Sequence, residues 1–310
     1  MASSNWSVSL IIPNYNGRQL LAENLPQVMA AARGAEVIVV DDASTDDSVA
    51  WLKQRYPLVR LVSLKQNRRF ARACNAGVKA ARGEIVVLLN NDVSPQVDFL
   101  TPLLAAFNQP VVAAAGCAEL ETINGRIRFS GRAGGRFERG LIRHWRARDQ
   151  TGRDTFWVAG GSGAYRRELF LALGGFDPLF APAYEEDRDL SYRLLKRGHQ
   201  IKFVPESRVT HHHETTQRLV LGQDQMQLAS YKNSLILVWK NLTDWRLSLS
   251  HLVWLPYHLL ITSIMSRGLF LKGLIQALTV IKPVLKKRAL EKKAAQIRDQ
   301  AILTQVSLII

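Results

Sequence analysis

The first hundred residues alternate between short β-branched and aliphatic runs and stretches with helical periodicity, and this alternation leaves few folds open. Residues 8–12, 36–40, 59–63 and 85–89 read as strands, and 20–32, 46–55 and 71–81 as the helices between them. Such continuous apolar runs belong to parallel strands covered by helices, so the pattern predicts βαβ units in an α/β sheet. Three of the runs stop on polar residues: Pro13-Asn14, Asp41-Asp42 and Asn90-Asn91-Asp92. Ligands bind at the carboxyl ends of strands in an open α/β sheet, which makes these endings the first candidate site.

A second acidic feature lies downstream. Glu185, Glu186, Asp187 and Asp189 place four carboxylates in five positions after a Gly174-Gly175-Phe176-Asp177-Pro178 turn. Charge packed this tightly repels itself. A helix N-terminus offsets part of the repulsion, which is one reading; a catalytic base beside a bound cation and a sugar hydroxyl is the other. Asp41 and Asp42 either cap the turn that follows or accept hydrogen bonds from a base and a ribose, with Tyr15 placed to stack on the base. Asp92 is either a turn residue or a ligand for a hard cation such as Mg²⁺, which takes one or two protein carboxylates and fills its octahedron with phosphate and water.

The chain carries 41 Lys+Arg against 26 Asp+Glu, and a net charge of +15 calls for anionic partners: nucleotides, phospholipids or nucleic acid. Acidic strand ends oppose nucleic acid. Cys74 and Cys117 suggest neither a disulfide framework nor a zinc site and read as reduced core thiols of a cytosolic protein. The polar start shows no secretory signal, so the N-terminal part is expected to stay cytoplasmic. Residues 119–154 are irregular and arginine-rich and read as a β-hairpin or loop excursion. A helix to about 197 and a strand at 201–204 follow, ending at His211-His212-His213. Consecutive histidines in a strand alternate faces, so His211 alone is singled out. The run 159–164 matches no phosphate-loop spacing and reads as a tight wall where backbone approaches a ligand; Trp157 is either a ligand-stacking or a core or rim residue. Residues 247–266 hold no formal charge with neutral histidines, and 269–281 are broken only by Lys272. With Trp254, Tyr257 and the basic residues from Lys282 onward, they suggest amphipathic helices lying in the cytoplasmic leaflet. A hairpin dipping into the bilayer and a soluble helical cap are the alternatives.

Four ordered motifs, residues 8–17, 37–46, 88–93 and 186–190, together resemble the signature of family 2 glycosyltransferases with the GT-A fold. The resemblance covers roughly residues 7–215. It implies a Rossmann-like nucleotide-binding half with a mixed central sheet (about 1–115), an acceptor half (about 116–215), and a C-terminal helical, membrane-associating region (216–310). Asp41 and Asp42 fall where the family holds base and ribose, with Pro13, Tyr15, Asn16, Asn67, Arg72, Asn91 and Gly161 completing the nucleotide-sugar site. Asp92 matches the last acid of the metal motif, in the Asn90-Asn91-Asp92 variant common in rhamnosyl-type members, and His211 a position that helps bind metal or diphosphate. Asp187 matches the base, with Glu186 beside it. Arg69 departs from a frequent family glycine; Arg68, Arg69 and Arg72 either touch the diphosphate or lie on a solvated helix start.

The implied activity is inverting, metal-dependent transfer, with Mg²⁺ or Mn²⁺, from a dTDP- or UDP-linked sugar. The implied acceptor is a lipid-linked saccharide in cell-surface polysaccharide assembly. The expected partners are the nucleotide sugar, this acceptor and an anionic membrane surface at the cytoplasmic face of the inner membrane, with no nucleic acid. A polyprenyl-phosphate glycosyltransferase and a non-catalytic basic membrane or nucleic-acid binder are the rival readings.

Overall fold

The computed structural model describes residues 6–123, 126–211 and 216–310. The expected alternation is present as β1 (Val8–Asn14), α1 (Arg18–Ala31), β2 (Glu36–Asp41), α2 (Ser48–Arg55), β3 (Arg60–Ser63), α3 (Arg69–Ala80) and β4 (Ile85–Leu89). The chain continues through β5 (Val93–Pro95), α4 (Leu100–Ala105), β6 (Val112–Ile123), β7 (Arg126–Ser130), β8 (Ala133–Glu138), β9 (Leu141–Arg146), β10 (Ser162–Arg166), α5 (Arg167–Ala172), α6 (Glu186–Lys196) and β11 (Gln200–His211). Five helices close it: α7 (Thr216–Asn241), α8 (Trp245–Met265), α9 (Leu269–Thr279), α10 (Ile281–Ala294) and α11 (Asp299–Ser307).

The main sheet runs β3-β2-β1-β4-β10-β6-β11-β5, with β7 paired to β6. Strands β1 to β4 are parallel, β10 runs against both β4 and β6, and β11 is parallel to β6. The sheet is therefore mixed. The carboxyl ends of β1, β2, β4 and β11 and the amino end of β10 share one edge. Side chains alternate across each strand. Leu10, Ile12, Val37, Val39, Val87 and Leu89 fill a core on one face, and Ile11, Ile38, Val40, Val86 and Leu88 a second core on the other, with Phe176 and Leu190. Parallel strands buried on both faces explain why the sequence runs were continuous rather than alternating.

Residues 119–154 form a two-part excursion: β7 folds back on β6, and β8 and β9 make a separate two-stranded hairpin. Strand 201–204 extends to His211 through a register shift between Val204 and Arg208. Strand β6 has no counterpart in the sequence reading, because its Ala113-Ala114-Ala115-Gly116 stretch lacks β-branched residues. Small side chains suit it to its place between β10 and β11.

A third core joins Leu141, Phe156, Phe180 and Tyr192 to Leu235, Ile236, Phe270, Leu274, Ile302 and Val306. The C-terminal helices are thus packed into the hairpin and α6. Helix α8 is a single 21-residue helix, long and apolar enough to cross a membrane. Pro256 lies inside it and is followed by a wide π turn, His258–Thr262.

Candidate active site

The polar strand ends meet at the shared sheet edge. Asn14, closing β1, is the link: Asn91 Nδ2 donates to Asn14 Oδ1 at 2.9 Å, and Asn14 Nδ2 reaches Asp41 Oδ1 at 3.4 Å. Gly17 lies against this pair, and a Cβ there would stand 2.2 Å from Asn91 Nδ2, so the turn into α1 needs a residue with no side chain. Pro13 sits within β1 opposite Val40 of β2. Tyr15 and Asn16 are exposed at the rim. Asn16 Oδ1 accepts from Thr45 N at 2.7 Å, and Asn16 N donates to Ser44 Oγ at 2.9 Å, stapling the turn after β2 to the turn after β1.

Asp41 accepts from Ser44 N at 3.1 Å, the capping role the sequence allowed. Asp42 reaches further. Its Oδ1 accepts from Arg68 N at 2.6 Å and its Oδ2 from Arg69 N at 2.8 Å. Burial raises the Asp42 pKa above its ordinary value, while those two N–H groups and the Arg69 charge pull the other way. Asn67 Oδ1 also accepts from Arg69 N, at 3.1 Å. These contacts hold Arg69 in left-handed backbone, φ 66°, where glycine is the usual residue. Arg68, Arg69 and Arg72 are exposed, yet all three line one cleft with Pro178, Phe180, Pro182 and Glu186.

Asp92, in the turn between β4 and β5, is 7% exposed. Its Oδ1 lies 3.3 Å from His211 Nε2 without a well-formed hydrogen bond, and His211 Nδ1 lies 3.6 Å from Glu119 Oε2 on β6. Burial disfavours a charged His211, but Asp92 and Glu119 outweigh it and raise the pKa to about 10. Among the described residues no three His, Cys, Asp or Glu side chains form a complete metal-binding group. A buried carboxylate facing an imidazole fits a hard cation that displaces the imidazole proton and takes its other ligands from phosphate and water. His212 and His213 lie outside the described residues.

Asn90 N donates to Gly161 O at 2.9 Å, and a Cβ on Gly161 would stand 2.5 Å from Asn90 Nδ2. The neighbouring Gly160 N donates to Asp187 Oδ2 at 3.2 Å. The glycine run is therefore a wall, and it connects the metal-site turn to the acidic cluster. That cluster opens α6 after two left-handed residues, Tyr184 (φ 71°) and Glu185 (φ 77°). Its carboxylates have different surroundings. Asp189 is fully buried and paired with Arg193 at 2.8 Å, as its spacing predicts, and with Lys240 of α7 at 2.7 Å. Glu185 pairs with Arg188 at 2.8 Å, and burial pushes its pKa up to about 7. Glu186 is buried with no hydrogen bond to Oε2; burial and the adjacent Asp187 push it up to about 8. Asp187 is also raised by burial, but Arg188 and the N–H groups of Arg188 and Gly160 favour its ionised form. Trp157 packs in the third core, with His144 edge-on and the Arg188 guanidinium over its ring.

The strand-end candidates Asn14, Asp41, Asp42, Asn91 and Asp92 lie together at this edge, and Gly160 and Gly161 tie it to Asp187, whereas Trp157 packs against the third core. Glu119 and Lys240 were not foreseen: Glu119 lies on the unrecognised β6, and the partners of Lys240 are remote in sequence.

Residues 9–174 match the profile of Glycosyl transferase family 2. The chain is 28% identical over 225 residues to O-antigen biosynthesis protein RfbC of Myxococcus xanthus, covering 68% of this chain and 18% of that protein. It is 26% identical over 227 residues to pre-mycofactocin glycosyltransferase of Mycobacterium tuberculosis, covering 69% and 44%. The chain thus spans less than half the length of these curated relatives. In structure it is similar to S. aureus TarS 1-349 in complex with UDP-GlcNAc (TM-score 0.60, 16% identity, 97% of this chain and 89% of that one). It is also similar to GalNAc-T7 with UDP, GalNAc and Mn²⁺ (TM-score 0.62, 20% identity, 78% and 49%). With a matching profile over more than half its length and the GT-A fold of these neighbours, the chain belongs to glycosyl transferase family 2.

Proposed function

We propose that the chain is an inverting, metal-dependent glycosyltransferase. It moves a sugar from a nucleoside-diphosphate sugar to a hydroxyl of a lipid-linked saccharide, in cell-surface polysaccharide assembly on the cytoplasmic face of the inner membrane. The observation that carries this reading is the gathering of acidic and basic groups along one sheet edge and the cleft beside it. It extends from Asp42 to Arg68 and Arg69, across their cleft to Glu186 and Asp187, and through Gly160, Gly161 and Asn90 to Asp92.

The donor site is built from Tyr15, Asp41 and Asp42 at the base and ribose, with Pro13, Asn16, Asn67, Asn91 and Gly161 around them. Asp92 and His211 would hold Mg²⁺ or Mn²⁺, which neutralises charge on the departing diphosphate. Arg68, Arg69 and Arg72 add fixed positive charge facing the cleft. Asp187 takes the proton from the acceptor hydroxyl as it attacks opposite the leaving group, so one displacement inverts the anomeric centre. Glu186 keeps its proton at neutral pH and serves as a hydrogen-bond donor. Burial raises both carboxylates, while the N–H groups of Arg188 and Gly160 favour the ionised form of Asp187 and suit it to the base role. The bound nucleotides of TarS and GalNAc-T7 favour a UDP-linked donor, and the motif style of the sequence adds dTDP as the alternative. RfbC, by its name, favours polysaccharide assembly.

The membrane assignment draws on α8, whose polarity is inverted. His251 and His258 are buried at 4% and 1% exposure, whereas Trp245, Leu252, Leu260 and Ile264 are 61–75% exposed on its outer side. Trp239 Nε1 donates to His251 Nε2, so His251 Nδ1 carries the proton and donates to Gly140 O at 2.7 Å. His258 Nε2 contacts Arg139 O at 2.7 Å. The polar side of α8 thus grips the tip of the arginine-rich hairpin and leaves its apolar side outward. That arrangement suits a helix lying in an anionic leaflet better than one crossing it.

Thermal shift with UDP, dTDP and GDP, each with and without Mn²⁺ or Mg²⁺, tests the donor site. A diphosphate of the right base with metal raises Tm, by mass action on the folded form. No shift with any nucleotide, together with salt-dependent DNA binding, would sink the reading. Near-normal turnover of Asp187→Asn with a polyprenyl phosphate would move the acceptor to that class.

A further inference from the structure

Two consecutive residues of α7 grip the backbone that leads into the catalytic carboxylates. Lys232 Nζ donates to Ala181 O. Asn233 Nδ2 donates to Phe180 O at 2.6 Å, Ala183 O at 2.8 Å and Tyr184 O at 3.0 Å. Asn233 is fully buried, and three carbonyls around one nitrogen fix which amide atom is the donor. The gripped segment runs into Tyr184 and Glu185, two adjacent non-glycine residues in left-handed backbone. Residues hold that conformation only where their surroundings over-determine it. Glu186 and Asp187 follow immediately, so the angle at which the segment enters α6 sets where both carboxylates point.

We infer that the Lys232-Asn233 pair is a clamp, with Asn233 the positioning residue that orients Asp187 and Glu186 through the backbone of 180–184. The inference rests on the reading of Asp187 as base. Asn233 touches neither substrate nor reacting atoms; it acts through the loop. The clamp sits outside the region matched to the family profile, residues 9–174, and belongs to the helical part of the chain. Helix α9 backs it closely, because a Cβ on Gly273 would stand 3.0 Å from Tyr231 Cβ and 3.1 Å from Lys232 N.

The test uses the full chain with Asn233→Ala, Asn233→Asp and Lys232→Met. It reads hydrolysis of a UDP- and dTDP-sugar panel with Mn²⁺, UDP binding with Mn²⁺, and hydrogen exchange of the 180–188 peptide. A displaced base lowers kcat by about 10- to 100-fold in Asn233→Ala, and further in Asn233→Asp, with KM for the donor and UDP binding within about twofold of the parent. Exchange at 180–188 speeds up in both. A kcat within twofold of the parent overturns the clamp. So does a parallel loss of kcat, UDP binding and Tm, which marks a purely structural asparagine. If neither Asn233 variant folds, Lys232→Met decides: a kcat lowered about three- to tenfold at parental Tm supports the clamp, and an unchanged kcat overturns it. If the parent hydrolyses no sugar nucleotide, the activity assignment fails on its own, and unchanged exchange at 180–188 in the variants then overturns the clamp separately.

Discussion

Glu186 and Asp187 are adjacent carboxylates with different neighbours. Asp187 receives two backbone N–H groups and Glu186 Oε2 receives no hydrogen bond. Replacing Asp187 with Asn removes the proposed base and keeps the shape, so kcat is expected to fall by roughly 10²- to 10⁴-fold while Tm and UDP binding hold. Steady-state kinetics beside a melting curve check it. Glu186 has a pH signature. Its folded pKa stands near 8, above the ordinary 4.5. The folded state therefore keeps a proton that the unfolded state has released, and this contribution to stability is whole below about 4.5 and fades as pH rises to about 8. Glu186→Gln has no such dependence. Its stability relative to the parent should grow between pH 5 and 8 by on the order of 2 kcal/mol, read from denaturant titrations at each pH. A difference that stays flat would show that Glu186 is ionised in the fold. The carboxylates that carry these roles were legible because acid at the end of an apolar strand run is chemically conspicuous. Lys240 and Asn233 were not, since a lysine or asparagine in a helix declares its purpose only through partners fifty residues away.

Among elements, strands bounded by β-branched runs were legible almost to the residue, as with β4 at Ile85–Leu89. Strand β6 was hidden because alanine and glycine carry neither periodicity nor β preference, and with it went Glu119. The apolar character of 247–266 was equally plain, but composition could not tell which side faces outward. Two buried histidines decide that, by turning the polar side onto Gly140 and Arg139. The outward side then predicts an experiment. Leu252 and Leu260 are 61% and 64% exposed, so changing both to Glu should leave Tm within about 2 °C, as is usual for surface substitutions. The same change should weaken sedimentation with anionic phospholipid vesicles by about tenfold or more, through lost apolar burial and added like charge. Neutral vesicles and high salt should weaken the parent as well, because screening acts on its basic residues. Equal vesicle binding by parent and variant would detach α8 from the membrane.

For the molecule as a whole, the question is whether residues 216–310 are an appendage or part of one folding unit. The sheet's own cores need none of these residues, but the third core draws on both sides of the division. So do its buried charges. Asp177 and Asp189 both meet Lys240, Asp177 also meets Lys287 at 2.8 Å, and Lys196 meets Asp299 at 2.8 Å. Burial alone would raise the Asp177 pKa, yet Lys240 and Lys287 hold it well below the ordinary carboxylate range. A chain ending at residue 215 would strand Asp177, Asp189 and Lys196 without these partners, and breaking a buried pair costs about 3–5 kcal/mol. Two such losses approach the roughly 5–15 kcal/mol that holds a whole domain together. The truncated chain is therefore expected to melt without a cooperative transition and to gain nothing from UDP with Mn²⁺. A cooperative melt that UDP and Mn²⁺ raise as far as in the full chain would mean that the helices are an added anchor, and that the carboxylates of α6 find their places without them.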